Sequence, residues 1–361
     1  MGYRYIGAKT QIVESVITHI SKIVGKTGRI ADIMCGTGAV SAALRLRGYQ
    51  VIANDVMTYS YHHARVLLGF TRLPRFSRTK DFIKEFTPNS APESLFPPSQ
   101  YEQVLRALNN VPEERGYFLR EFSSAGSPKN GEQPRNYFAP HNAAKIDAIR
   151  GWIRRLKEEK LITEIEHSLL THDLVMAAND VANIAGTYGH YLSKMVERAK
   201  VPIVLTPTQL ILRNDAGSHK VYQARAEDLA SRLSCDLCYV DPPYMKRQYA
   251  ANYHVLETLG RGDEPEAIGV SGLRPWRDQY SNFCTKTKIR DSFRKMINDM
   301  ECSDFLVSYS EDGLLSIEDL KKLFNEFGEV KMQAVANKRF KSNNSKLAPV
   351  LTEYLFHLQK A

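Results

Sequence analysis

An α/β fold, built on a Rossmann-like and mostly parallel sheet with a largely helical insertion, is what this sequence predicts. Three observations carry the prediction. Short apolar runs, one holding Asp32 and two ending in Asp55 and Asp241, alternate with apolar faces at helical spacing. A Gly36-x-Gly38 turn joins the first run to the helix behind it. Between residues 69 and 207 the texture becomes basic, helical and punctuated by proline, and β-type runs return only after it.

Ile12, Val13, Val16, Ile17, Ile20 and Ile23 make one helix face, broken by Gly28. Residues 29–34 predict a strand that runs into Cys35-Gly36-Thr37-Gly38. Ala39, Val40, Ala42, Ala43, Leu44 and Leu46 predict a helix closed by Gly48, and residues 49–53 a second strand ending in Asn54-Asp55. A right-handed crossover makes the two strands parallel. The Gly-x-Gly turn lets backbone approach a ligand closely, and an acid at the end of the next strand can accept from ribose hydroxyls. A nicotinamide fingerprint needs a third glycine where Ser41 stands. The turn therefore suits a cofactor with a ribose but no pyrophosphate, a description S-adenosylmethionine fits, or it is a tight structural turn alone.

In the middle stretch Arg72, Arg75, Arg78, Lys80 and Lys84 are interleaved with Phe76, Phe82 and Phe86. Residues 123–134 form a Gly/Ser/Pro-rich loop that carries Lys129 and leads to Arg135. Ile146, Ile149, Ile153 and Leu156 predict one helix, Ile165, Leu169 and Leu170 a second, and residues 175–184 a third. A positive surface carrying aromatics suits phosphate and base contacts. The plainer reading is a helical subdomain with a solvated basic face.

Residues 221–224 predict a short strand, after which Asp228 is either an acid able to meet an adenine amino group or a helix N-cap. Residues 237–240 form a buried strand stopped by Asp241-Pro242-Pro243-Tyr244. Open α/β sheets hold their ligands at the carboxyl ends of parallel strands. The tetrapeptide thus offers an acid, two residues without a backbone N–H and an aromatic ring at such a rim; the alternative is a strand stop with a capping acid. A helix through Leu256 and Leu259, another through Phe293 and Met300, a strand at 305–309 and a helix through Ile317 and Phe324 follow. Strands at 330–335 and 352–358, joined by a basic link with Lys338, Arg339 and Lys341, predict an antiparallel edge.

With 361 residues, 43% hydrophobic and 25% charged, the chain has room for a large core. A net charge of +9 favours a polyanionic partner. No apolar stretch approaches the ~20 residues that span a bilayer, and a cytoplasmic protein is expected. The five cysteines are scattered; Cys235 and Cys238 form a C-x-x-C with no second pair at metal spacing, so buried thiols and no metal are expected.

Tyr5-x-Gly7-x-Lys9, Asp32-x-x-Cys35-Gly36-Thr37-Gly38, Asp55, a long insertion and Asp241-Pro-Pro-Tyr244, in that order, resemble the alpha-class amino methyltransferases, the DNA adenine methylase family and its restriction-modification relatives. The resemblance covers nearly the whole chain. Cys35 stands where Ala or Gly is commoner, and the insertion matches no nameable recognition sequence. It implies an S-adenosyl-L-methionine-dependent fold with cofactor-binding residues 1–68, an inserted target-recognition domain over 69–207 and a catalytic part over 208–361. The resemblance implies Tyr5, Gly7 and Lys9 on the cofactor's methionine side, Asp32, Gly36 and Gly38 around the turn beneath it and Asp55 at its ribose; Asp228, where it ends a strand rather than caps a helix, is a further cofactor-binding candidate. Asp241 and the Pro242 carbonyl, with Pro243 behind them, hold the target amino group, and Tyr244 stacks on the flipped base. Arg247, Tyr249 and Asn252 match the segment that follows, and with Lys338, Arg339 and Lys341 they are expected to meet nucleic acid. The partner implied is double-stranded DNA, with room for a cognate restriction endonuclease acting separately. Asp rather than Ser at 241 favours adenine over cytosine, and the long insertion favours duplex DNA over RNA. A catalytically silent nucleic-acid-binding protein on the same fold is the rival from another class.

Overall fold

The computed structural model describes residues 9, 12–87, 97–130, 132–338 and 350–361. The described residues divide into two compact units: one takes those of Tyr5–Gly69, Asp215–Ala250 and Arg277–Ala361, the other those of Phe70–Asn214 and Ala251–Trp276.

The first unit is organised by a seven-stranded sheet. Its strands are β1 (Arg29–Asp32), β2 (Gln50–Asn54), β3 (Lys220–Tyr222), β4 (Leu237–Val240), β5 (Asp304–Ser310), β6 (Gly328–Lys338) and β7 (Val350–Lys360), in the order β3-β2-β1-β4-β5-β7-β6. β1 to β5 pair in parallel, whereas β7 runs antiparallel to both β5 and β6. The predicted antiparallel edge is therefore present; the basic link between its strands lies at 339–349, outside the described residues.

Alternation along the strands divides the core. Ile30, Leu237, Tyr239, Leu306 and Leu355 pack with Val16, Ile17, Ile20, Val40 and Leu44 of helices Val13–Val24 and Ala39–Leu46. Ala31, Cys238, Val240, Phe305 and Val307 pack with Phe293, Met296, Ile297, Leu320 and Phe324 of helices Ile289–Asp299 and Ile317–Asn325. β4 is buried at all four positions, which is why it reads in sequence as an unbroken apolar run. With β1 flanked by β2 and β4, the strand order reverses at the centre, and a crevice opens beyond the carboxyl ends there.

The second unit is helical, with Lys80–Phe86, Gln100–Asn110, Tyr117–Phe122, Pro140–Glu158, Glu164–Asp180 and His254–Arg261 as its principal helices. The apolar patterns expected to form two helices across 165–184 form one, Glu164–Asp180. A capping box between Thr163 and Glu166 starts it, and Asp173 continues it because its carboxylate is buried and accepts from Tyr101 Oη and Thr208 Oγ1, both at 2.6 Å. Residues beyond 207 join this unit through Arg150, whose Nη2 donates to the Asp263 carbonyl at 2.6 Å and whose Nη1 pairs with Glu264 at 3.1 Å. Arg135 is fully buried against Glu121 at 2.8 Å, so it supports the loop before it rather than adding to an exposed basic face.

Candidate active site

Three neighbouring strand ends of the sheet unit build the site. β1 runs out at Asp32 into the turn, where Gly36 and Gly38 take φ of 51° and 76°. At Gly38 the backbone selects glycine, since a Cβ there would meet only the movable tip of the Leu67 side chain. β2 runs out into Asn54 and Asp55. Asn54 Nδ2 donates to the Ile33 and Ala224 carbonyls at 2.9 and 3.0 Å, tying the ends of β1 and β3 together. Asp55 accepts from the Gly36 and Met57 backbone N–H groups at 2.8 and 2.9 Å. β4 runs out into Asp241, Pro242, Pro243 and Tyr244.

These ends line one cleft with two adjoining spaces that share Met34, Asp55, Pro243 and Tyr249. The first space is lined by Lys9, Asp32, Gly36, Asp55, Asp241 and Tyr244, the second by Val56, Ala226, Glu227 and Phe283 among others. Gln248 closes one side, its side chain exchanging hydrogen bonds with the Ser281 backbone at 2.9 and 2.8 Å.

The electrostatics of the first space centre on Lys9. Its Nζ lies 2.9 Å from Asp241 Oδ1 and 2.8 Å from Glu353 Oε1, and Glu353 also accepts from Ser308 Oγ at 2.8 Å. Burial lowers the Lys9 pKa, but Asp241 and Glu353 more than compensate and hold it well above the ordinary lysine value. Burial pushes Asp241 up to about 7, with the Lys9 charge pulling it down and Glu353 pushing it up. Asp32 is likewise raised to about 7 by burial, against the hydrogen bond from Ser41 Oγ at 2.6 Å. Tyr244 packs edge-on against Tyr309 with ring centroids 6.1 Å apart, and Lys9 Nζ sits 5.5 Å from its centroid.

Asp32, Gly36, Asp55, Asp241, Pro242, Pro243, Tyr244, Lys9 and Tyr249 thus meet at one cleft. Tyr5, Gly7, Arg339 and Lys341 lie outside the described residues, and Lys338 ends β6. Arg247 is exposed beside the cleft-lining residues, whereas Asn252 belongs to the helical unit, where its carbonyl accepts from Tyr188 N at 2.7 Å. Asp228 is a correction. β3 ends early, at Tyr222, and the chain turns into helix Ala226–Leu229, so Asp228 is an exposed helical residue 3.5 Å from Lys295 and neither ends a strand nor caps the helix. Its neighbour Glu227 lines the cleft and accepts from Asn282 at 3.0 Å. The sequence reading passed over Glu353, Ser308 and Glu227; a lone acid within the apolar residues 351–358 was the available signal for Glu353.

Among the described residues no group of three or more His, Cys, Asp or Glu is placed to hold a metal ion, and no helix is long and apolar enough to cross a membrane. All five cysteines are free thiols.

Comparison with known proteins fits this geometry. The family model of the D12 class N6 adenine-specific DNA methyltransferases matches residues 5–337. Type II methyltransferase M.FokI of Planomicrobium okeanokoites is 32% identical over 99% of this chain and 52% of its own length. Type II methyltransferase M.NlaIII of Neisseria lactamica is 30% identical over 99% of both chains, and M.CviAII of Paramecium bursaria Chlorella virus 1 is 30% identical over 98% of this chain and 97% of its own. The chain therefore spans about half the length of M.FokI and nearly all of the other two. With a family model covering β1 to β5, the glycine turn and the Asp241 tetrapeptide together, the chain belongs to the D12 class N6 adenine-specific DNA methyltransferases.

Proposed function

We propose that this chain transfers a methyl group from S-adenosyl-L-methionine to N6 of an adenine turned out of duplex DNA. The observation that carries the reading is Asp241, held by Lys9 at the end of β4, in the same cleft as the glycine turn and Asp55. Carboxylates along the cleft suit a cationic ligand. The apolar surfaces of Val56, Phe283 and Pro243 suit an adenine ring, and Asp55 would hold ribose hydroxyls. When bound, the cofactor supplies an electrophilic sulfonium methyl.

The protein's share is to make a poor nucleophile reactive. The exocyclic nitrogen of adenine delocalises its lone pair into the ring. Accepting its two N–H groups at the Asp241 carboxylate and the Pro242 carbonyl favours a pyramidal nitrogen with its lone pair free to attack. The same carboxylate stabilises the positive charge that develops. The proton lost afterwards lies on Asp241's side and leaves through it to solvent. Tyr244 offers a ring face to a base removed from its stack.

With this reading we further propose a cytoplasmic, nucleoid-associated enzyme, a cognate endonuclease acting separately, and Arg247 among the nucleic-acid contacts. Incubation with labelled S-adenosylmethionine and either genomic DNA or total RNA, followed by nucleoside analysis, tests it. N6-methyladenine in DNA is expected; label in RNA, or in N4-methylcytosine, overturns it.

A further inference from the structure

We propose that Glu353, on β7, is a positioning residue for methyl transfer: it fixes the Lys9 ammonium against one oxygen of Asp241, leaving the other oxygen for the substrate amino group. The inference rests on the reading of Asp241 as the group that holds that amine, and it deepens it.

Glu353 and Lys9 are 1% and 5% exposed, and their bond joins residues 344 positions apart. One lysine nitrogen therefore serves two carboxyl groups at once. A buried cluster of this kind is costly to desolvate, and apolar side chains in its place often stabilise a fold. Glu353 sits in a strand whose neighbours Leu355, Phe356 and Leu358 are buried hydrophobics. Its Oε2 is buried without a hydrogen-bond partner among the described residues, a further cost that packing does not account for. Ser308 Oγ steadies it from the neighbouring strand. An acid placed at such cost directly behind the site's lysine points to the site rather than to the core.

The geometry has a defined electrostatic consequence. Asp241 is faced by Lys9, Glu353, Asp32, Tyr239 and Tyr244. Of these, Lys9 lowers its proton affinity while Glu353 raises it. Glu353 thus does two separable things: it anchors Lys9, and it opposes part of Lys9's effect on Asp241.

The test measures pH profiles of kcat/KM and the separate kcat and KM values for Glu353→Gln, Glu353→Asp and Asp241→Asn, with thermal melts of each. Glu353→Gln keeps the shape and removes the charge. Its acid limb is expected to move down by about one pH unit, with kcat lowered about tenfold and both KM values within about threefold. Glu353→Asp keeps the charge but draws it back from Lys9, so kcat falls without that downward shift. An unmoved acid limb and unchanged kcat in Glu353→Gln, with only the melting temperature altered, overturn the inference and leave Glu353 structural. If Glu353→Gln does not fold, Ser308→Ala reports instead: a roughly threefold lower kcat at unchanged KM is expected, and an unchanged kcat overturns the proposal. Retained activity in Asp241→Asn removes the reading underneath. An inactive Asp241→Asn beside an unaltered Glu353→Gln removes only the role of Glu353.

Discussion

The backbone N–H of Gly36 donates to Asp55 Oδ2 at 2.8 Å, so the acid that ends β2 also sets the turn that follows β1. Its other oxygen receives the Met57 N–H at 2.9 Å. Asp55→Ala leaves both donors without that acceptor, at about 1–3 kcal/mol for each if it stays buried. S-adenosylmethionine affinity is expected to fall at least about tenfold by isothermal titration calorimetry. An unchanged Kd would count against the role of Asp55.

Asp32 predicts a pH-dependent stability. Its folded-state pKa stands at about 7 against an unfolded value of 3.8. Between those values the folded chain holds a proton that the unfolded chain has lost, so the residue's contribution to stability falls as pH rises through that window. Asp32→Asn removes this penalty and keeps an acceptor for Ser41 Oγ. Urea unfolding is expected to show the variant more stable by about 1–3 kcal/mol at pH 8, with no advantage at pH 4. A variant less stable at pH 8 contradicts the burial account.

Lys9 pulls the Asp241 pKa down against burial. Lys9→Met should therefore move the acid limb of kcat/KM upward by more than about one pH unit. Activity at pH 7 falls and recovers in part at higher pH. Asp32, raised to a similar value, titrates in the same range, so the comparison is cleanest in an Asp32→Asn background. A limb left where it was would separate Lys9 from Asp241's protonation.

Tyr244 offers a ring face, and its hydroxyl has no part in the reading. Tyr244→Phe is expected within about threefold of wild type, whereas Tyr244→Ala loses about 1–3 kcal/mol of stacking. A duplex carrying 2-aminopurine at the target position reads this as fluorescence on flipping. Equal losses in the two variants would shift the role from the ring to the hydroxyl.

The sheet was legible because its central strands are buried on both faces and so appear as apolar runs closed by acids, as with residues 237–240 before Asp241. The glycine turn was legible because two positive-φ residues so close together leave few other choices. The single helix Glu164–Asp180 was not, because the contacts that hold its middle, Tyr101 and Thr208 on Asp173, come from 72 and 35 residues away. Glu353 was hidden for the same reason, its partner Lys9 lying at the other end of the chain. Asp228 was misplaced by a strand that ends sooner than its apolar pattern suggests, which hands the cleft to Glu227.

The central claim is that Asp241 holds the reacting amine, and the most direct measurement is single-turnover transfer of labelled methyl to duplex DNA by Asp241→Ala. The account predicts a loss of at least about 100-fold in the transfer rate, with cofactor and DNA affinities within about threefold of wild type. Transfer at the wild-type rate would contradict it.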